Sequence, residues 1–260
     1  MLIPRIIPCL LLQGKGLVKT IKFKEPKYIG DPINAIKIFN EKGADELMLL
    51  EIAATVEGRK PAFDVIEEIA SECFMPVCYG GGIKELEDAR RIFNLGIEKI
   101  SLSSYAIENP DFIKELVGIF GSQSIVVCLD VKKNLWGQYE LVTHNAKKKT
   151  GIDPLVAAQR MEELGVGELV INVVDRDGTM MGYDIALIQK ITKNVHIPVI
   201  ACGGAGNLQD VSEVIHAGGA SSAAVGSLFV FHGKHRGVLI SYPSREEIVR
   251  LFEGNEHGRK

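Results

Sequence analysis

Long hydrophobic runs are missing from this 260-residue sequence, since no apolar stretch approaches the roughly 20 residues that a membrane-spanning helix needs. An excess of one charge is missing too. Because 30 lysines and arginines stand against 33 aspartates and glutamates, a general nucleic-acid or membrane-surface binder is disfavoured. The first residues show neither the basic start nor the small-residue cleavage site of a signal peptide. We therefore expect a cytoplasmic protein that binds neither nucleic acid nor membrane.

Metal-ligand spacing is also lacking among the five cysteines, Cys9, Cys73, Cys78, Cys128 and Cys202. Four of them lie in or at the ends of apolar, strand-like runs. Free cysteine behaves as a small buried hydrophobe in reducing compartments. The pattern predicts reduced core thiols, with no metal site and no cofactor.

What the sequence does contain is an internal repeat, with a period of about 120 residues. The apolar segment Ile7–Leu11 matches Val126–Asp130, and Gly80-Gly81-Gly82 matches Gly203-Gly204. The first pair ends in leucine in one half and in aspartate in the other. An internal repeat of this kind dictates the architecture.

Short apolar runs alternate with amphipathic stretches along the whole chain, which is typical of β–α units with a parallel sheet. The predicted strands are Arg5–Leu11, Glu46–Ile52, Met75–Tyr79, Lys99–Ser103, Ser124–Asp130, Glu168–Val174, Ile197–Cys202 and Ser221–Gly226. The predicted helices are Pro32–Lys42, Ala62–Cys73, Leu86–Leu95, Asp111–Ile119, Pro154–Leu164, Ile185–Thr192, Asp210–Ala217 and Arg245–Phe252.

Eight such units predict an α/β fold, a single (βα)8 TIM barrel over residues 1–260 with half-barrels at about 1–122 and 123–260. A doubly wound open sheet is the alternative. The repeat favours the barrel because two four-unit halves join edge to edge and leave no exposed strand.

Two glycine sites follow equivalent strands of the two halves, one at Gly81-Gly82 and one at Gly203-Gly204. Each precedes a helix, so backbone N–H groups and the helix dipole can hold a phosphate there. In a closed barrel their neighbours are Ser103-Ser104 and Gly226-Ser227, which can supply further donors. The pair of sites suits a ligand phosphorylated at both ends, and a tight turn is the alternative explanation for each.

Seven short motifs together resemble the cyclase subunit of imidazole glycerol phosphate synthase, the HisF family. They are Arg5–Leu10, Gly30–Pro32, Gly80–Ile83, Phe120–Gln123, Asp175–Thr179, Gly182–Asp184 and Gly203–Gly206. The resemblance implies a TIM barrel that receives ammonia from a HisH-like glutaminase docked on its strand-start face. It also implies addition of that ammonia to a bisphosphorylated nucleotide, which is then cyclised and cleaved.

The family's two catalytic aspartates, a general acid and a general base, map to Asp130 and Leu11, so only one of them is present. Because acid–base help is worth about 10²–10⁴ in rate, leucine at position 11 predicts severely reduced cyclisation. A purely structural role for Asp130, bonded to loop amides, is the alternative.

Other positions of the active face agree with the family pattern only in part. Lys19, Asp177 and Gly178 follow the family pattern, whereas Glu51 stands for an aspartate and Ser103 for an asparagine.

The opposite face keeps the family's ammonia gate, because Arg5, Glu46, Lys99 and Glu168 match its two bases and two acids at strand starts. Two positive and two negative groups can neutralise each other where isolated buried charges would be costly. Ordinary solvated strand ends are the alternative.

The segments Phe229–Lys234 and Gly237–Ser244 depart from the histidine-pathway enzyme and are similar to HisF-like proteins of the WbuZ type, associated with glycosyl amidation in surface-polysaccharide synthesis. That likeness implies a HisH-like glutaminase partner and a separate sugar amidotransferase. We also expect Lys22–Tyr28 to be a mobile loop over the active face.

Two alternative hypotheses remain at this stage. One is an authentic cyclase of histidine biosynthesis in which Glu51 or Asp177 replaces the missing acid–base group. The other is a non-catalytic scaffold that only binds phosphate.

Overall fold

Eight parallel strands close into a barrel in the computed structural model, which describes residues 3–253. The strands in chain order are β1 Arg5–Gln13, β2 Gly16–Ile21, β3 Lys24–Gly30, β4 Leu47–Glu51, β5 Val77–Gly80, β6 Lys99–Leu102, β7 Ile125–Lys133, β8 Tyr139–Thr143, β9 Lys148–Lys149, β10 Glu168–Val173, β11 Val199–Cys202, β12 Ser222–Val225, β13 Phe231–His232 and β14 Gly237–Val238. The helices are α1 Pro32–Lys42, α2 Phe63–Glu72, α3 Leu86–Asn94, α4 Ser104–Glu108, α5 Pro110–Phe120, α6 Pro154–Glu163, α7 Ile185–Thr192, α8 Leu208–His216 and α9 Arg245–Glu253.

The barrel strands follow the order β1-β4-β5-β6-β7-β10-β11-β12, and β12 pairs back with β1. Every pairing in this ring is parallel. The predicted TIM barrel is therefore confirmed, and the open sheet is wrong. The predicted barrel strands are all present, with ends displaced by at most three residues. The division into half-barrels near residue 122 stays a prediction.

Both faces of the sheet are covered, as the continuous apolar runs indicated. One core lies inside the barrel and contains Ile7, Met48, Val126, Val170 and Ile200. A second, larger core lies between the sheet and the surrounding helices. Cys9, Cys78, Cys128 and Cys202 belong to the inner core, and all five cysteines are free thiols.

Local signals at the helix ends agree with this layering. The side chain of Asp31 accepts a hydrogen bond from the Asn34 amide and caps α1, while Gly43 ends that helix with a φ of 69°. A residue with that backbone conformation is most easily glycine, since it has no Cβ to clash. No helix within residues 3–253 combines the length and apolar character required to cross a membrane.

The predicted loop at Lys22–Tyr28 is wrong, because this segment contains most of β3 and is one arm of the antiparallel hairpin β2–β3. Its mobility stays a prediction. β1 continues beyond the barrel to Gln13, and its last residues pair with β2. Leu17 and Val18 are buried, so the hairpin has an apolar face that anchors it. The tip residues Lys22 and Phe23 have φ values of 54° and 62°, the conformation of a two-residue hairpin turn.

Candidate active face and strand-start ring

At the strand-start end of the barrel, four charged side chains form a closed ring of ion pairs. Arg5 bonds Glu46 through one guanidinium nitrogen and reaches Glu168 Oε1 through the other, at 2.7 Å. Lys99 Nζ lies 3.1 Å from Glu46 Oε1 and 3.0 Å from Glu168 Oε2. Each base therefore contacts both acids, and each acid contacts both bases.

The ring is buried enough for its pairing to matter. The Glu46 side chain is 3% exposed and the Lys99 side chain 17% exposed. Arg5 also donates to Ser222 Oγ at 3.1 Å, which fixes its guanidinium plane. Because buried charges are costly unless they are paired and hydrogen-bonded, the four groups depend on one another.

At the opposite end, where the barrel strands terminate, a cavity of about 140 Å³ opens. It brings together every active-face residue selected from the sequence. These are Leu11, Lys19, Glu51, Gly81, Gly82, Ser103, Ser104, Asp130, Asp177, Gly178, Gly203, Gly204, Gly226 and Ser227. The C-terminal face of a TIM barrel is where the loops build active sites.

Asp130 lies on the floor of this cavity, held by neutral hydrogen-bond donors. Its Oδ2 accepts from Ser103 Oγ at 2.8 Å and its Oδ1 from Asn172 Nδ2 at 2.9 Å. Burial raises the pKa of the Asp130 carboxyl to about 6, although the hydrogen bonds from Ser103 and Asn172 oppose the shift. The carboxyl is bonded to side chains rather than to loop amides, and its pKa suits proton transfer near neutral pH.

Leu11 lines the same cavity from β1, where it pairs with Val18 of β2 and Leu50 of β4. Its aliphatic side chain has no proton to exchange. The cavity thus has a titratable side chain on β7, Asp130, and an apolar side chain on β1, Leu11, at the position that matches it in the internal repeat.

Lys19 and Asp177 form a second polar group beside the mouth. Lys19 Nζ donates to the backbone carbonyl of Cys9 at 2.8 Å. Asp177 Oδ2 accepts from Thr20 Oγ1 at 2.8 Å and from the Phe23 amide at 3.3 Å. Burial raises the pKa of Asp177, and Lys19 and Thr20 counteract that rise. Asp177 therefore ties the hairpin β2–β3 to the loop after β10.

Glu51 is hydrogen-bonded to backbone amides of two loops, its own and the turn between β1 and β2. Its carboxylate accepts from the amides of Ala53 at 2.8 Å and Gly14 at 3.1 Å, and Arg59 lies 3.7 Å away. The Glu51 side chain has no exposed surface. These contacts hold the Glu51 carboxylate in place, and a substrate-binding role for it stays a prediction.

Close backbone packing explains the glycines at both predicted phosphate sites. A Cβ on Gly81 would lie 2.3 Å from the Glu51 carbonyl oxygen, and one on Gly204 would lie 2.2 Å from that of Gly182. Both residues also have positive φ values, 120° and 121°. The Gly82 amide already donates to Thr55 Oγ1 at 3.3 Å. Tight turns are therefore sufficient to require glycine here, and phosphate binding stays a prediction.

Two features of the cavity were missed by sequence reasoning. Asn172 lies on its floor, and the signal for it was a single polar residue inside an otherwise apolar strand. His144 and Asn145 reach the cavity from the turn between β8 and β9, a hairpin that no predicted element covered.

Substituting Asp130 with asparagine is expected to change how stability depends on pH. Because burial raises the folded-state pKa to about 6 from 3.8, folding favours the protonated form. This contribution is complete below the unfolded pKa and is lost as the pH rises through about 6.

The stability advantage of the unsubstituted chain over Asp130→Asn should therefore shrink by about 1–2 kcal/mol from about pH 4.5 to about pH 7.5. This is less than the whole shift would give, because the carboxyl borders the open cavity. Urea unfolding of both proteins across that range measures it. A difference that does not vary with pH would contradict the raised pKa.

The fold is that of a TIM-barrel protein, and its cavity lies at the carboxyl ends of the strands, where TIM-barrel enzymes have their active sites. The model of the histidine biosynthesis protein family matches residues 5–236. The chain belongs to that family, among the HisF-like subunits of imidazole glycerol phosphate synthase.

Three relatives illustrate the similarity. The chain is 54% identical over 239 residues to the "Putative imidazole glycerol phosphate synthase subunit hisF2" of Pseudomonas aeruginosa, covering 92% of this chain and 95% of the relative. It is 51% identical over 254 residues to the "Putative imidazole glycerol phosphate synthase subunit hisF3" of Vibrio vulnificus, covering 97% of this chain and 98% of the relative. It is 51% identical over 253 residues to the "Putative imidazole glycerol phosphate synthase subunit HisF" of Leptospira interrogans, covering 97% and 100%.

Proposed function

We propose that this barrel receives ammonia from a HisH-like glutaminase and passes it to a separate sugar amidotransferase in bacterial surface-polysaccharide synthesis. In this proposal the chain has little or no cyclase activity of its own. The observation that carries it is the contrast between the two ends. The charged ring of Arg5, Glu46, Lys99 and Glu168 is complete, whereas Leu11 leaves Asp130 without a second acid–base group on β1.

The ring supports ammonia passage through its chemistry. Its four groups neutralise one another, so a small neutral molecule can approach without meeting an unpaired charge. Behind it lies an interior of apolar side chains and thiols, which has few strong partners for water or ions. A neutral nitrogen nucleophile crosses such an interior more easily than a charged one.

The contacts of Glu51 and Asp177 argue against either one replacing the missing acid–base group. The Glu51 carboxylate accepts hydrogen bonds from two amides and has no exposed surface, and the Asp177 carboxylate accepts from a hydroxyl and an amide of the hairpin. A general base must instead reach the proton that it removes. The names of the relatives favour the alternative, an authentic cyclase, so activity has to be measured.

The glycine and serine residues around the mouth support a phosphate-bearing ligand. Gly81-Gly82 precede a loop that leads into α3, and Gly203-Gly204 precede one that leads into α8. Lys19 contributes a positive charge between β2 and the cavity. The C-terminal segments Phe229–Lys234 and Gly237–Ser244, which are similar to the WbuZ type, point to sugar amidation as the destination of the nitrogen.

Cyclase activity is expected to be at least about 100-fold below ordinary enzyme rates, because one of two acid–base groups is absent. The assay supplies the purified chain with the bisphosphorylated nucleotide and ammonium chloride, and measures imidazole glycerol phosphate. Leu11→Asp is the matched variant, and we expect it to remain slow because Glu51 and Ser103 also differ from the family pattern. Ordinary turnover by the unsubstituted chain would overturn the proposal in favour of the histidine pathway.

Ammonia passage is tested in a complex of this chain with a HisH-like glutaminase. Lys99→Met and Arg5→Met should leave glutamine hydrolysis measurable but increase the share of ammonia released to solvent. If both variants deliver nitrogen as well as the unsubstituted complex, a phosphate-binding scaffold becomes the better description.

A further inference from the structure

Two large apolar side chains stand in solvent at the tip of the hairpin β7–β8. Leu135 is 96% exposed and Trp136 is 88% exposed. β7 continues to Lys133, past its last pairing with the barrel strand β10 at Val131, so the tip lies above the strand-end mouth. Exposed aromatic side chains of this size are typical of protein–protein interfaces, where a few of them supply most of the binding energy.

The tip is ordered by hydrogen bonds of Asn134. The Asn134 side chain accepts from the amides of Trp136 at 2.9 Å and Gln138 at 3.0 Å. The Asn134 amide donates to the Gln138 carbonyl at 2.8 Å, and the Asn134 carbonyl accepts from the Gly137 amide at 3.0 Å. Because the turn is already ordered, little conformational entropy is lost when a partner covers Trp136.

The base of the same hairpin is tied to the loop after β10. Asp175 Oδ2 accepts from the Lys133 amide at 2.9 Å, and Asp184 Oδ2 accepts from the Tyr139 hydroxyl at 2.8 Å. The other oxygen of Asp184 accepts from the Leu187 amide and caps α7. These contacts fix the direction in which the hairpin projects, and both carboxylates are hydrogen-bonded within the chain.

The hairpins around the mouth are basic, although the whole chain has a net charge of −3. Residues 131–149 contain five lysines and one glutamate, residues 16–30 contain four lysines and one glutamate, and residues 231–238 contain a lysine, an arginine and no acid. Six of these lysines form no ion pair with any residue in the described range 3–253: Lys22, Lys24, Lys27, Lys132, Lys147 and Lys234. An acidic partner can pair with them without breaking an ion pair of this chain.

Apolar exposure recurs on the other side of the mouth. In the closed ring of eight barrel strands, β7 is four strands from β1 in either direction, so the hairpins β7–β8 and β2–β3 lie on opposite sides of the cavity. Tyr28 of β3 is 66% exposed, and Ile21 at the end of β2 is 49% exposed. The hairpin β13–β14 follows β12, the neighbour of β1, and its Val238 is 46% exposed. A partner that contacts Trp136 and Tyr28 together therefore spans the mouth and covers the cavity.

We propose that the hairpins β2–β3, β7–β8 and β13–β14 form the docking surface for the sugar amidotransferase. The inference rests on the proposed function and adds the surface through which nitrogen leaves this chain. Leu135 and Trp136 enter an apolar pocket of that protein, and carboxylates around the pocket pair with the six lysines. The amidotransferase then covers the cavity, so ammonia passes between the two proteins without reaching solvent. A lipid bilayer suits the surface less well, because covering the mouth with lipid would leave the nitrogen without an acceptor.

Photo-crosslinking in the cells that naturally produce this chain identifies what covers the tip. A photoreactive phenylalanine analogue replaces Trp136 or, as the matched control, Phe74. Phe74 is also 88% exposed, but it lies between α2 and β5 at the strand-start end. We expect position 136 to crosslink to a sugar amidotransferase and position 74 not to do so. A lipid adduct at position 136, a protein of another kind, or no adduct there would overturn the inference.

Binding of the purified full chain to that amidotransferase is then measured by isothermal titration calorimetry. Trp136→Ser should weaken binding by at least about 30-fold, as expected for a central interface residue, whereas Phe74→Ser should leave it unchanged. Both side chains are exposed, so neither substitution disturbs the core. Lys132→Gln combined with Lys147→Gln should also weaken binding and make it less sensitive to sodium chloride.

Equal affinity of Trp136→Ser and the unsubstituted chain would refute the docking surface. Vesicles of phosphatidylcholine and phosphatidylglycerol are the second probe. If they bind the unsubstituted chain but not Trp136→Ser, the surface is a membrane site and the inference is wrong.

Failure of this surface and failure of the proposed function give different results. Normal transfer of glutamine nitrogen to the sugar by Trp136→Ser would refute only the surface. An amidotransferase that binds with the expected dependence on Trp136, while all glutamine-derived ammonia is released to solvent, would refute only the proposed passage.

Discussion

Replacing Lys99 with methionine is expected to lower the free energy of unfolding by about 3 kcal/mol, the lower end of the range for breaking a buried ion pair. The loss arises because Glu46, whose side chain is 3% exposed, would keep Arg5 alone as a cationic partner, and so would Glu168. Methionine preserves most of the side-chain volume, so packing contributes little to the change. Urea unfolding at neutral pH measures it.

The matched control is Lys37→Met. Lys37 pairs with Glu72 at 3.4 Å, but both side chains are well exposed. An exposed pair contributes about 0–1 kcal/mol, because solvent screens the charges. Equal losses in the two variants would show that the ring is an ordinary solvated set of strand ends, which is the alternative that the sequence left open.

Gly178→Ala is expected to destabilise the protein by about 2 kcal/mol more than Gly151→Ala. The two glycines have nearly the same φ, 68° and 69°, so the backbone strain of an alanine is similar at both positions. A Cβ at Gly178 would lie 2.1 Å from the Thr20 carbonyl oxygen, whereas nothing lies within 4 Å of one at Gly151. The difference therefore isolates the steric cost, typically 1–3 kcal/mol in a packed site.

The effect should be concentrated in the hairpin β2–β3. Alanine at position 178 would push Thr20 away and weaken the contacts of Thr20, Lys22 and Phe23 with Asp177. Hydrogen exchange of the hairpin amides should then rise in Gly178→Ala and stay unchanged in Gly151→Ala. Unaltered exchange in both variants would mean that the hairpin does not depend on the loop after β10.

The barrel could be predicted from the sequence because its signals are local and repeated. Apolar runs of strand length, helix-period stretches and the 120-residue repeat each point to the same architecture. The hairpin β2–β3 was missed because β3 is mostly exposed: Lys24, Glu25 and Lys27 give it the composition of a solvated loop. Only its antiparallel pairing with β2 defines it as a strand.

The candidate site was predictable in part for a related reason. Residues at strand ends could be assigned to one face as soon as the barrel was assumed, and the cavity contains all of them. Asn172 was not selected, because its importance lies in the donor it gives to Asp130 and in the acceptor it leaves unused. Both features depend on how β10 is placed beside β7 in the folded barrel.

The sequence by itself determined the alternation of strands and helices, the repeat, and the presence of leucine at position 11 where the second half of the repeat has aspartate, because these depend on residue order alone. The tertiary structure decided which charges meet. Arg5 and Glu168 are 163 positions apart, yet closure of the barrel brings them to 2.7 Å. It also decided that glycines at the mouth are required by backbone packing, since a clash with a carbonyl of another loop exists only after folding.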